Sequence, residues 1–190
     1  LIKDFEKTNP NIYKEDKEKW LNQIDEWRQK RAIPAPVSNK LSALSVIKKL
    51  YELTKQYNPI VCTEVGQHQM WTAQLFKFNE PRKLVTSGGL GTMGFGFPAA
   101  MGACAAHPEQ LVLNIAGDGS IQMNIQEMAT CVDYGFKVIN CIIDNGYLGM
   151  VRQWQEKLYH KHYSETKISH PDFVKLAESY GAVGIKVEKE

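Results

Sequence analysis

Two apolar runs, residues 111–116 and 138–143, fix the architecture of this 190-residue chain more firmly than any other stretch. Each is uncharged and short, and reads as a strand buried on both faces of a parallel sheet. Each is followed at once by oxygen-bearing side chains: Gly117-Asp118-Gly119-Ser120 after the first, Asp144-Asn145-Gly146-Tyr147 after the second. The C-terminal ends of such strands are where open α/β sheets bind ligands. Asp118 and Asn145 are 27 positions apart, room for one helix and one strand, so they fall on adjacent strand ends. A carboxylate and an amide oxygen brought together there can ligate Mg²⁺, which takes octahedral oxygen ligands and keeps water and phosphate in its shell. A backbone carbonyl near Tyr147 offers a third ligand, and glycines beside Asp118 let a phosphate approach the backbone closely. Asp-Gly and Asn-Gly are also ordinary turn dipeptides. The occurrence of both, each after a buried strand, points to a cation and a diphosphate.

The rest of the chain fits one α/β domain with a preceding tail. Residues 1–37 read as a helical tail and linker: Trp20, Leu21, Ile24 and Trp27 recur at helical spacing, and Pro34 and Pro36 mark an extended connection. Over 38–190 the pattern predicts a doubly wound, mainly parallel sheet with helices on both faces. Helices are expected at 42–57, 67–77, 94–107, 124–134, 149–158 and 172–180. Strands are expected at 59–64, 83–86, 111–116, 138–143 and 182–187. With 23 Lys and Arg against 21 Asp and Glu, the charge balance makes no case for nucleic-acid binding. No apolar run approaches the roughly 20 residues of a membrane span. The four cysteines, Cys62, Cys104, Cys131 and Cys141, lack C-x-x-C spacing and sit in apolar surroundings, which fits free thiols in a reducing compartment. The chain begins at Leu1 and reads as excised from something longer.

Further residues are candidates on local grounds. Gln67 and His68 follow a strand end, where His68 can donate to a phosphate oxygen or cap a helix. Ser120 opens a helix, so the backbone N–H groups of Gly119 and Ser120 can face phosphate oxygens, and Ser120 can also serve as an N-cap. Gly89-Leu90-Gly91-Thr92-Met93-Gly94 matches the dinucleotide pattern G-x-G-x-x-G, which would make Asp118 a ribose ligand, but that reading leaves Asn145 without a role. Met150, Trp154 and Leu158 share one helix face just past Asn145, as either core or a substrate-facing wall.

Taken together, Gly117-Asp118-Gly119-Ser120 followed by Asn145 resembles the thiamine diphosphate motif. The runs Val65-Gly66-Gln67-His68-Gln69-Met70-Trp71 and Ser87-Gly88-Gly89-Leu90-Gly91-Thr92-Met93-Gly94 resemble the acetolactate (acetohydroxyacid) synthase large-subunit family. So does Gly146-Tyr147-Leu148-Gly149-Met150-Val151-Arg152-Gln153-Trp154-Gln155, and the likeness spans roughly 40–187. The resemblance implies that Asp118 and Asn145 bind Mg²⁺ by side chain and Tyr147 by its carbonyl. Gln67, His68, Gly119 and Ser120 would meet the diphosphate. Gly91 and Met93 would contact the aminopyrimidine, Met93 holding the cofactor bent, and Met150 and Trp154 would line the acceptor pocket. The implied reaction decarboxylates pyruvate and joins the two-carbon unit to a second 2-oxoacid, pyruvate or 2-oxobutyrate, in branched-chain amino-acid biosynthesis.

The same resemblance implies parts this chain does not supply. The glutamate that activates the aminopyrimidine comes from another domain on a partner subunit, and Glu64, though near a strand end, does not match it. No catalytic residue is therefore expected here, and the chain alone is expected to bind the cofactor weakly and turn over nothing. FAD in the full-length parent, a homodimer or tetramer, a small regulatory subunit, and a cytoplasmic bacterial or organellar setting are further expectations of this kind. Asp144 departs from the Asn common at its place, and either tightens the metal site or points away. Another thiamine diphosphate enzyme, such as a pyruvate oxidase or 2-oxoacid decarboxylase, a non-catalytic cofactor-binding module and a nicotinamide oxidoreductase remain the alternative readings.

Overall fold

The structure is a computed structural model that describes residues 14–30 and 41–189. The chain divides into two compact units, Leu1–Asn39 and Lys40–Glu190. In the first, the described part is helix α1 (Lys14–Lys30), in which Trp20 and Trp27 meet edge to face with centroids 5.5 Å apart. The proline-containing linker expected at 32–37 lies outside the described residues.

The second unit is built on a four-stranded, wholly parallel sheet of order β2-β1-β3-β4, with β1 Ile60–Thr63, β2 Leu84–Thr86, β3 Val112–Gly117 and β4 Val138–Ile143. The chain leaves β1 for β2 on one side and returns to β3 on the other. The strand order therefore reverses between β1 and β3, the kind of point at which a crevice opens in such sheets. Alternation sorts the apolar side chains. Val61, Leu113 and Ile115 pack with Ile47 and Phe76 on one face. Ile60, Cys62 and Val112 pack with Ala100 and Cys104 on the other. Helices α2 (Ala43–Thr54) and α3 (Gln67–Leu75) supply the first layer, α4 (Gly96–Ala106) the second. A third cluster joins Phe97, Met101, Ala116, Ile121 and Met128 to Phe173 and Leu176 of α8 (Phe173–Ser179). All six residues of β3 are buried, as its uninterrupted apolar run requires.

Local signals explain the helix ends. Ser42 and Ser45 form a reciprocal capping box at α2, and Asp172 accepts from the Val174 and Lys175 N–H groups at α8. Two expectations fail. The helix expected at 124–134 is broken into a 3₁₀ turn, Gln122–Glu127, and α6 (Met128–Asp133). Asn124 leaves helical geometry because its side chain donates to the Gly94 carbonyl at 2.6 Å. The short helix before it is α5 (Asp118–Ile121). The strand expected at 182–187 is also absent, and Val183, Ile185 and Val187 are exposed. Gly184 sits against the Val174 backbone, where a Cβ would come within 2.7 Å of Cα, so the segment lies back on α8 instead of pairing with β4.

Candidate cofactor and metal site

Strands β1, β3 and β4 and the loop after β2 end on one cavity of about 710 Å³. Every site residue named from the sequence lines it. Gln67 and His68 open α3 just after β1, and Gly91 and Met93 come from the loop after β2. Asp118, Gly119 and Ser120 follow β3. Asn145, Tyr147, Met150 and Trp154 come from the turn after β4 and from α7 (Gly149–Leu158).

Asp118 organises the floor. It is 2 % exposed, its Oδ1 accepts from Gly119 N–H at 2.9 Å, and its Oδ2 accepts from Asn145 N–H at 3.1 Å and Gly146 N–H at 2.5 Å. One carboxylate thus stitches the β3 tip to the β4 tip, with no Lys or Arg ion pair among the described residues. Asn145 Oδ1 accepts from Tyr147 N–H at 2.9 Å, an Asx turn that Gly146 permits with φ +71°. The turn is held from outside. Leu148 N–H donates to Thr166 O at 2.8 Å and Ile168 N–H to Gly146 O at 3.0 Å, while the Arg152 guanidinium lies 4.0 Å over the Tyr147 ring.

Two site glycines have packing duties that the sequence reading assigned to phosphate approach. A Cβ at Gly119 would meet Leu148 and Ile168 at 3.0 Å, and one at Gly117 would come within 3.0 Å of His68 Cε1. Ser120 does not cap its helix as the first residue. Gly117 is the N-cap, and Ser120 reaches back so that its Oγ accepts from Gly117 N–H at 3.1 Å. The Gly119 N–H is taken by Asp118.

His68 is 6 % exposed, and its Nε2 has no hydrogen-bond partner among the described residues. Burial pushes its pKa down to about 4, against the opposing pull of the Glu64 backbone and the Asp118 carboxylate, so the ring is neutral near pH 7. Gln67 Nε2 donates to Gln153 Oε1 on α7 at 2.6 Å, and a Cβ at Gly149 would collide with Gln67 Oε1. Sequence reasoning missed Gln153, because a glutamine on a polar helix carries no sign of a partner 86 positions away.

Asp144 does not point away. Its Oδ1 lies 3.1 Å from His170 Nε2, and ligand atoms of Asp118, Asp144 and His170 fall within 4.8 Å of one another. The hydrogen bond to the Pro171 carbonyl raises the His170 pKa, with burial opposing and Asp144 and Asp118 adding to the rise. The last glycine of the G-x-G-x-x-G pattern does not face a ligand: Gly94 N–H donates to Glu64 Oε2, and its carbonyl accepts from Asn124.

The donor set fits the group the motif implies. A buried carboxylate without a counter-cation and an orphaned imidazole nitrogen share a cavity with an amide oxygen at the next strand tip. The family model for the thiamine pyrophosphate enzyme, C-terminal TPP binding domain, matches residues 64–190. The acetolactate synthase large subunit of Haemophilus influenzae is 48 % identical over 174 residues, 90 % of this chain and 30 % of that protein. The acetolactate synthase isozyme 3 large subunit of Escherichia coli is 47 % identical over 88 % of this chain and 29 % of its own length. The mitochondrial acetolactate synthase catalytic subunit of Saccharomyces cerevisiae is 42 % identical over 92 % of this chain and 26 % of its own length. The chain thus spans about 30 % of the length of such relatives. With the motif residues gathered at one sheet edge and the match covering most of the α/β unit, this chain belongs to the thiamine pyrophosphate enzymes, as their C-terminal TPP binding domain.

Proposed function

We propose that the cavity holds thiamine diphosphate through Mg²⁺, and that the full-length protein is an acetolactate synthase acting on pyruvate and a second 2-oxoacid in branched-chain amino-acid biosynthesis. The observation that carries this reading is the Asp118 carboxylate, buried and bound to the β4 tip, beside Asn145 and an unpartnered His68 nitrogen. Asp118, Asn145 and the Tyr147 carbonyl would hold the cation. Gln67, His68 and Ser120 would meet the diphosphate, with Gly119 beside them although its N–H is engaged by Asp118, and Gly91 and Met93 would meet the aminopyrimidine. When bound, the cofactor's thiazolium ring takes up the electrons released as a 2-oxoacid loses CO₂. The chain's own part is to hold, orient and exclude water. Neutral His68 adds no charge, and it meets a phosphate oxygen as a donor in the Nε2–H tautomer. Met150 and Trp154, on one face of α7 at the cavity, would form the apolar wall met by the second 2-oxoacid, where one methylene is worth about 1–3 kcal/mol. The reading extends to a homodimer or tetramer, an activating glutamate from a partner subunit, FAD and a small regulatory subunit in the parent, and a cytoplasmic or organellar setting.

Calorimetric titration of the full-length protein with thiamine diphosphate, with and without Mg²⁺, tests the site. Binding should require Mg²⁺, and Asp118→Asn should weaken it by about 100-fold or more. Binding indifferent to the metal or to Asp118 overturns the reading. Pyruvate supplied to the full-length protein should give acetolactate; acetyl phosphate or a free aldehyde would instead assign a related thiamine enzyme.

A further inference from the structure

Glu64, dismissed on sequence grounds as a cofactor-activating group, has a different place. It follows β1 directly and is completely buried. Its Oε2 accepts from Gly94 N–H at 2.7 Å, and its Oε1 from Phe97 N–H at 2.9 Å, in the first turn of α4. The residue at the start of that helix, Phe95, offers no side-chain cap. A carboxylate from another strand therefore satisfies the free N–H groups and sits at the positive end of the helix dipole. No Lys or Arg pairs with Glu64 among the described residues. Burial pushes its pKa up, and hydrogen bonds from Phe97, Gly94, Gly96 and Phe95 oppose that rise.

The loop between β2 and α4 is fastened at two ends. At its start, Gly91 N–H donates to Ser87 O at 3.2 Å and Thr92 N–H to Ser87 Oγ at 3.1 Å. At its close, Gly94 donates to Glu64 and accepts from Asn124, with φ +90° and Met123 Cβ 2.8 Å from where a Gly94 Cβ would stand. Of the loop's two cavity residues, Gly91 forms part of the first fastening and Met93 lies between the two, with Met93 Cε 3.8 Å from where a Gly119 Cβ would stand. Glu64 also stands only three positions before Gln67, the first residue of α3. It links the wall that carries Gly91 and Met93 to the wall that carries Gln67 and His68.

We propose that Glu64 is a positioning residue: its buried carboxylate clamps the loop 87–95 so that Gly91 and Met93 present a fixed face to the cofactor's aminopyrimidine ring. The proposal rests on the thiamine diphosphate reading. It separates the two halves of that ligand, because the clamp acts on the ring wall and not on the wall expected to meet the phosphates.

The test compares wild type, Glu64→Gln and Glu64→Asp in the full-length protein with Mg²⁺ present. Two probes are titrated: thiamine diphosphate, and inorganic pyrophosphate as the phosphate half alone. Glu64→Gln sets an amide N–H against a backbone N–H and should weaken thiamine diphosphate by about tenfold or more, while pyrophosphate stays within about twofold. The near-ultraviolet circular dichroism of the bound aminopyrimidine should diminish at saturating cofactor. Glu64→Asp keeps the charge but is one methylene short, and should lie between wild type and Glu64→Gln on the cofactor scale alone. Should Glu64→Gln fail to fold, Glu64→Asp decides. Equal loss of both probes, or no loss of either, overturns the clamp. Wild type binding neither probe overturns the thiamine diphosphate reading itself.

Discussion

At the residue scale the site depends on where burial places a charge or withholds one. His68 titrates in water near 6.5 but is lowered to about 4 by burial. The unfolded chain therefore takes up a proton first as the solution acidifies. The stability this histidine contributes is complete above about pH 6.5 and is lost as pH falls towards 4, with a ceiling of roughly 3 kcal/mol. Urea denaturation at a series of pH values should show wild type losing about 2–3 kcal/mol more than His68→Gln between about pH 7 and pH 4. Parallel curves for the two proteins would contradict the buried neutral ring. Asp118 and Asn145 were legible in the sequence because each stands within two residues of the end of an apolar strand, whereas His68, five residues past β1 in the first turn of α3, was singled out mainly by the family resemblance. Glu64 stands in the same kind of place, yet its role was not legible. Its partners are backbone N–H groups 30 and 33 positions away, and backbone donors leave no trace in composition.

At the element scale, α4 shows how packing overrides propensity. Its small residues suited it to close contact with the sheet, but the sequence does not say which glycine is indispensable. A Cβ at Gly96 would lie 2.5 Å from Glu64 N and 2.6 Å from Thr63 C, whereas Gly102 has nothing within 4 Å. Gly96→Ala should destabilise by about 2–3 kcal/mol, and Gly102→Ala should stabilise by about 0.5–1 kcal/mol, both read from chemical denaturation midpoints. Equal effects from the two would remove the argument for backbone contact between α4 and β1. Both departures from the periodic expectation coincide with a tertiary contact: the Asn124 amide to the Gly94 carbonyl in the broken 122–133 helix, and Gly184 against the Val174 backbone in the segment expected as the last strand.

At the scale of the whole α/β unit, the central strand and the C-terminal segment mark opposite ends of local stability. β3 is buried throughout, whereas residues 183–189 carry exposed Val183, Ile185 and Val187 and donate no backbone hydrogen bonds among those described. Native-state amide exchange should be slowest in β3, near the global unfolding limit, and essentially unprotected over 183–189. Strong protection over 183–189 in the isolated chain would show that the segment pairs with a strand after all. The parallel α/β class and the two strand ends that carry Asp118 and Asn145 were readable in the chain alone, because they follow from local order: apolar runs, the turn chemistry after them and a spacing that forces neighbouring strand tips together. Gly91 and Met93 were named only through the family resemblance. The closed fold adds that Asp118 ties β3 to β4, that Gln67 reaches Gln153, that His68 is neutral and that Glu64 holds a loop. Those outcomes depend on distances between segments far apart in the chain and on how much water remains around each group, quantities that exist only once the sheet has closed over its core.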